Sequence, residues 1–215
     1  RQEEFEAKWK DCPTAIEGGE LLFDVNQLAE GSDAYIFAGY SVSPNNQLAA
    51  YFSNTTGSYA EFDLHLRDLT TGTDCSFTLH GISSLAWAED SETIYYGLID
   101  ETLRSTRIFA QRLSDAEGTL VYEEQDVRFS CSVSETKTRE FIFISTSSST
   151  TSEEYYLSSS GEDREPKLFL PRKQDVRYSI LSHREKFFVY YKDKEHLNGM
   201  GYVSPKDQVG DPTQW

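Results

Sequence analysis

The chain has 215 residues and a formal charge of −16, from 20 Lys and Arg against 36 Asp and Glu. That length can bury a sizeable core, and that sign of charge makes nucleic acid and anionic membranes poor partners. No run of about 18 apolar residues is present, so no membrane-spanning helix is expected.

Residues 1–20 are polar and carry Cys12-Pro13 and Gly18-Gly19. They read as a lead-in segment with little core of its own. The charged start, Arg1-Gln2-Glu3-Glu4-Phe5-Glu6, is not a signal peptide, and with no initial Met the chain is expected to be a piece of a longer one. Asp24 is placed to cap a brief helix over Val25 to Ala29, ended by Gly31.

From Tyr40 to Leu79 the sequence reads as short strands separated by turns. Pro44-Asn45-Asn46, Asn54-Thr55-Thr56-Gly57 and Thr70-Thr71-Gly72 are turn chemistry. Between the last two, Glu61, Asp63, His65 and Arg67 alternate with Phe62, Leu64 and Leu66. A period of two puts the apolar set on one face of a strand and the charges on the other.

The unit then recurs. Ser84 to Ala88, Thr93 to Tyr96, Arg107 to Ala110 and Leu120 to Tyr122 form a second pass. Phe129 to Val133, Phe141 to Ile144, Glu154 to Leu157 and Lys167 to Leu170 form a third. Arg177 to Ile180, Phe187 to Tyr190 and Gly201 to Val203 begin a fourth, and Trp215 looks like the start of a strand. Ser145 to Ser152 reads as a strand end plus a hairpin, not as a linker. Aligning the second strands places Tyr51, Tyr96, Ile144 and Tyr190 in register to within a residue. A period of about 45 residues with four strands in each is the mark of a β-propeller. The fold expected is therefore all-β, with about four four-stranded antiparallel blades over 21–215, in units of roughly 36–80, 81–125, 126–172 and 173–215. A sandwich of short strands is the competing architecture, and the regular period argues against it.

No catalytic constellation is legible. Gly81-Ile82-Ser83-Ser84-Leu85 fails as a nucleophile elbow at its last position, and no phosphate-binding glycine loop is present. His65, His80, His183 and His196 lack metal-site spacing and read as hydrogen-bonded structural residues. Cys75 and Cys131 lie in strands and read as buried free thiols, and Cys12 has no metal-type partner. Glu123, Glu124 and Asp126, like Glu89 and Asp90, read as solvated loop carboxylates that a cationic substrate could meet. Asn54-Thr55-Thr56 fits a glycosylation pattern but reads as turn residues. No catalytic, metal-binding or cofactor-binding residue is assigned, and no cofactor is expected.

One resemblance is specific. Leu120 to Asp126, Ser132 to Thr136 and Ser148 to Glu153 resemble the propeller of the oligopeptidase B branch of the prolyl oligopeptidase family of serine peptidases. Arg1-Gln2, Glu20 to Asn26, Ser43-Pro44-Asn45, Asp100 to Leu103, Leu170-Pro171-Arg172 and Arg177-Tyr178-Ser179 extend it in the same order over nearly the whole chain. Two places depart. Gln111 stands where the family usually has His, and Asn198-Gly199-Met200-Gly201-Tyr202 replaces an Asn-Phe-x-Leu pattern.

The resemblance implies a seven-bladed propeller capping an α/β-hydrolase domain of the same chain, with the Ser-Asp-His triad outside these residues. Residues 1–20 would join the propeller to the N-terminal part of that domain. It implies a filter that admits short cationic peptides, cleaved after Lys or Arg, in a cytoplasmic setting with the periplasm left open. The alternative is a non-enzymatic propeller used as an interaction scaffold. Four blades of an open array would bare apolar faces and strand edges, so self-association is expected.

Overall fold

The structure, a computed structural model, describes residues 20–160 and 164–215. The chain divides into two compact units, Arg1–Ser32 and Asp33–Trp215. In the first, α1 (Val25–Leu28) starts where the sequence places it. The Asp24 carboxylate accepts from the Asn26 and Gln27 amides at 3.0 and 3.2 Å, satisfying two donors that a helix start leaves open.

The second unit is a run of antiparallel strands. The first blade contains β1 (Ile36–Val42), β2 (Leu48–Asn54), β3 (Phe62–Asp68) and the outer half of β4 (Thr73–Trp87). The second contains the rest of β4, β5 (Thr93–Ile99), β6 (Ser105–Arg112) and β7 (Thr119–Glu123). The third is β8 (Ser130–Glu135), β9 (Phe141–Ser147), β10 (Ser152–Ser158) and β11 (Lys167–Leu170). The fourth is β12 (Arg177–His183), β13 (Lys186–Lys192) and β14 (Met200–Pro205). Within each blade the strands pair in sequence order.

The boundary read at residues 80 and 81 falls inside β4. This strand pairs with β3 as far as Ile82 and with β5 from Ile82 to Trp87, so the first two blades share one seven-stranded sheet. Gly81 lies at the handover with φ +68, a conformation that a side chain would strain. The strand expected at Trp215 is not formed. Pro212–Gln214 is a 3-10 turn, with the Asp211 carboxylate accepting from the Thr213 amide at 3.0 Å. Pro212 lacks the N–H that a strand ladder needs and suits a first helical position.

Three apolar cores lie between the four blades. Ala50, Leu64 and Leu66 meet Ile82, Trp87, Ile94 and Tyr96. Ala86, Tyr95, Ile108 and Ala110 meet Cys131, Val133, Ile142, Ile144 and Leu157. Phe143, Phe169 and Leu170 meet Tyr178, Ile180, Phe187 and Val189. In β5, Ile94 and Tyr96 belong to one core and Tyr95 to the next. Middle blades are thus buried on both faces, as stacked repeats require, and each such side chain contributes about 1.5–3 kcal/mol.

The repeat is sharpest in the backbone. Asn46, Ser91, Arg139 and Arg184 all have positive φ, between 51 and 61°. Each sits in the turn between the first two strands of its blade, spaced by 45, 48 and 45 residues. The sequence flagged only Asn46, because Asn tolerates this region and the other three residue types do not advertise it. In the fourth blade the register shifts by one. Val189 is buried against the third blade, whereas Tyr190 is 51% exposed on the opposite face. One residue of slip changes the face of every side chain in a strand. The outward face of this blade carries Leu181, Phe188, Tyr190 and Val203, all substantially exposed.

Candidate functional site

The carboxylates read as a solvated cluster after β7 are not alike. Glu123 is exposed, but Glu124 is buried. Its side chain is the centre of a charge network that ties the second blade to the third. Glu124 Oε2 accepts from Arg172 Nη2 at 2.7 Å, Thr146 Oγ1 at 2.6 Å and the Tyr122 hydroxyl at 3.1 Å. Glu124 Oε1 accepts from the Asp126 amide at 2.9 Å and Arg172 Nη1 at 3.4 Å. The same guanidinium donates from Nε and Nη2 to Glu153 Oε2 at 3.0 and 2.8 Å. The Arg172 amide donates to Glu153 Oε1 at 2.7 Å. The Arg172 guanidinium carbon lies 4.0 Å from the Phe129 ring centroid, within cation–π range.

The electrostatics follow from these contacts. Burial works to raise the Glu124 carboxyl, but hydrogen bonds from Arg172, Thr146 and the Asp126 amide outweigh it and hold it below the usual range. Burial would likewise lower the Arg172 guanidinium, and its bonds to Glu124 and Glu153 raise it instead. Every oxygen of the two carboxylates is engaged, so the network binds blades together and offers no free nucleophile or base. Glu124, Glu153 and Arg172 come from three separate stretches that carried the family resemblance. Their meeting was not legible, because each lies at a strand end where a charge ordinarily faces water.

The other candidates disperse. Among the described residues no cluster of His, Cys, Asp and Glu is placed to hold a metal ion. His65 packs on Tyr51 with ring centroids 5.0 Å apart, and burial lowers its pKa. His80 pairs with Asp63 at 2.8 Å, and His196 pairs with Asp193 at 2.8 Å. Asp90 holds its own turn by accepting from the Glu92 and Thr93 amides at 2.9 and 2.8 Å. Asp126 is held at about 2, first by the Arg128 side chain and then by the Arg128 amide. Asn54 is buried, accepts from the Thr56 and Gly57 amides at 2.8 Å each, and donates to the Glu61 carbonyl. It is a turn residue with no accessible amide for a glycan. Cys131 is buried and burial pushes its thiol up to about 11. Cys75 is exposed, against expectation, because the outer end of β4 from Thr73 to Ser76 is uncovered. Cys12 lies outside the described residues.

The profile of a known family, described as the prolyl oligopeptidase N-terminal beta-propeller domain, matches residues 1–208. The chain belongs to this family. It is similar to dipeptidyl aminopeptidase BI of Pseudoxanthomonas mexicana, 33% identical over 168 residues that cover 75% of this chain and 22% of that protein. It is similar to Protease 2 of Moraxella lacunata, 28% identical over 166 residues that cover 75% of this chain and 24% of that protein. Oligopeptidase B from Leishmania major has the same fold, with a TM-score of 0.86 and 20% identity over 95% of this chain and 29% of that one. This chain therefore spans under a third of the length of each of these relatives.

Both departures from the family's wording have a structural account in this propeller. Gln111 is buried, accepts from the Tyr96 hydroxyl at 3.0 Å and donates to the Asp115 carbonyl at 2.9 Å. Gly199 has φ +79, a backbone conformation that strains other side chains, and it packs beneath the Tyr190 ring, so this turn favours glycine.

Proposed function

We propose that this propeller is the size filter of a serine-type oligopeptidase. An α/β-hydrolase domain of the same chain would supply the catalytic triad, and residues 1–20 would join the two. The observation that carries this reading is the family match over residues 1–208, on a stack of four blades. A closed ring, seven-bladed by resemblance, would admit short peptides and exclude folded proteins. The charge of −16 favours the approach of cationic peptides, in keeping with cleavage after Lys or Arg. One relative's name, dipeptidyl aminopeptidase, supports including peptides with free amino ends among the substrates tested. The setting proposed is cytoplasmic. Full-length protein is expected to cleave short Arg-containing peptides and to leave a folded protein intact. Equal cleavage of both would remove the filter from the proposal.

The outward face of the fourth blade bears on the partner in the same way. With Leu181, Phe188, Tyr190 and Val203 uncovered, the 215-residue chain alone is expected to self-associate. Light scattering over a concentration series checks this, and a constant monomer mass would contradict it.

A further inference from the structure

A cavity whose lining includes none of Glu124, Glu153 and Arg172 opens where the third and fourth blades meet. It has a volume of about 450 Å³ and borders the edge of β12, where Ser152 Oγ accepts from the Tyr178 amide and donates to the Tyr178 carbonyl, both at 2.7 Å. That volume is within the range of small-ligand sites, roughly 300–1,000 Å³. Its wall on the third blade is Ser145 and Ser147 of β9 with Ser152 and Glu154 of β10, and its rim on the fourth is Arg177 and Lys192. Glu154 is 5% exposed. The one hydrogen bond to its carboxyl among the described residues comes from Ser145 Oγ, at 2.5 Å. Glu153, its neighbour, is held by Arg172. Arg177 and Lys192 pair across β12 and β13, are exposed, and form no ion pair among the described residues, and Arg177 Nη1 donates to the Ser149 carbonyl at 3.5 Å. The cavity is therefore lined by a buried carboxyl with spare acceptor capacity, by the Ser145 and Ser147 hydroxyls, and by two exposed cations that have no carboxylate partner.

We propose that this cavity binds a small zwitterion, an amino acid or a dipeptide. Its ammonium would be held by Glu154 and the Ser145 and Ser147 hydroxyls, and its carboxylate by Arg177 and Lys192. An ammonium supplies the donors that the buried carboxyl lacks, and charge-assisted hydrogen bonds of this kind are the strong ones. A ligand with only one of the two charges would leave one end of the site unmatched.

The groups facing Glu154 fix a second signature. They are Ser145 from β9 and, from β12, Tyr178, whose hydroxyl accepts from the Glu154 amide at 3.0 Å. Arg177 from β12 and Tyr190 and Lys192 from β13 lie at the rim. Burial pushes the Glu154 carboxyl up to about 7, with the Ser145 hydrogen bond working the other way. An arriving ammonium favours the ionised form, so binding must release a proton where the free carboxyl is still protonated.

The inference does not rest on the peptidase reading and can fail without it. Glycine and glycylglycine are titrated into the full chain by calorimetry in two buffers of different ionisation heat. N-acetylglycylglycine and glycylglycinamide serve as the capped controls. Binding of either zwitterion is expected, with nearly one proton released at about pH 6. At about pH 8.5 glycine should release almost none, whereas glycylglycine, whose α-amino group titrates at about 8, should take most of one up. Capping either end should weaken binding at least about tenfold. Glu154→Gln should abolish the proton release. The double variant Arg177→Ala with Lys192→Ala, at exposed positions that leave the fold intact, should bind the amide and the free dipeptide alike. Absence of binding, equal binding of the N-acetylated form, or unchanged affinity and proton release in Glu154→Gln would each overturn the proposal.

Discussion

Replacing Arg172 by methionine is expected to destabilise the junction of the second and third blades by about 3–5 kcal/mol at neutral pH. Methionine retains much of the volume over the Phe129 ring but removes the guanidinium donors to Glu124 and Glu153, leaving them only the neutral hydroxyls of Thr146, Tyr122 and Tyr155 and two backbone amides. Their side chains are only 4% and 6% exposed, against 27% for Arg172. Two carboxylates would be left close together in a poorly solvated site with no cation between them. The cost is that of stranded charge, not the net value of the ion pair, and it is larger for that reason. It should shrink as pH falls towards about 4, because protonation relieves both the burial and the mutual repulsion. Denaturant unfolding, with hydrogen exchange at β7 and β10 to locate the opening, checks both statements. A loss below about 1 kcal/mol, the value of an exposed pair, would show that the network is solvated after all.

Replacing Glu154 by glutamine is expected to stabilise the chain, and only above mildly acidic pH. The folded-state carboxyl sits at about 7, against an ordinary 4.5, with burial as the main cause. Below about pH 4.5 the group is protonated in both folded and unfolded chains and carries no penalty. Between 4.5 and about 7 the unfolded chain gives up its proton while the folded chain keeps it, so stability falls as pH rises through this window. Above about 7 the penalty is complete, on the order of 3 kcal/mol. Glutamine keeps the shape and an acceptor for Ser145 without the charge. The variant should therefore match the parent near pH 4.5 and exceed it at pH 8. An equal difference at both pH values would show that Glu154 does not titrate in this window.

Much of the fold was legible because its physics is local. Phe62, Leu64 and Leu66 alternate with polar residues, and alternation decides a strand's two faces without reference to any partner. Asn46 and Gly57 occupy turn positions that their own backbone preferences select, both with positive φ. Where several residue types satisfy a position, residue type does not reveal the conformation. Arg139 and Arg184 hold the same left-handed turn conformation as Asn46 with nothing in their type to say so. In β13, Phe188, Val189 and Tyr190 are all apolar or aromatic, and a continuous run does not reveal which face is inward. Only packing against Phe143 and Phe169 settles it for Val189.

The candidate sites were hardly legible at all. Glu124 and Asp126 stand two residues apart in one acidic run, yet Glu124 is buried against Arg172 and Asp126 is paired at the surface with Arg128. Glu153 and Glu154 are adjacent, and the pleat sends one to the arginine and the other into the cavity beside β12.

The sequence alone determined the strand periodicity and the 45-residue repeat, because these depend on spacing along the chain, and it carried the family through the resemblance of ordered segments such as Leu120 to Asp126. The tertiary structure alone decided which charges are buried and which partners they have. That depends on residues such as Glu124 and Arg172, 48 positions apart in the chain, being brought within 3 Å by the stacking of one blade on the next.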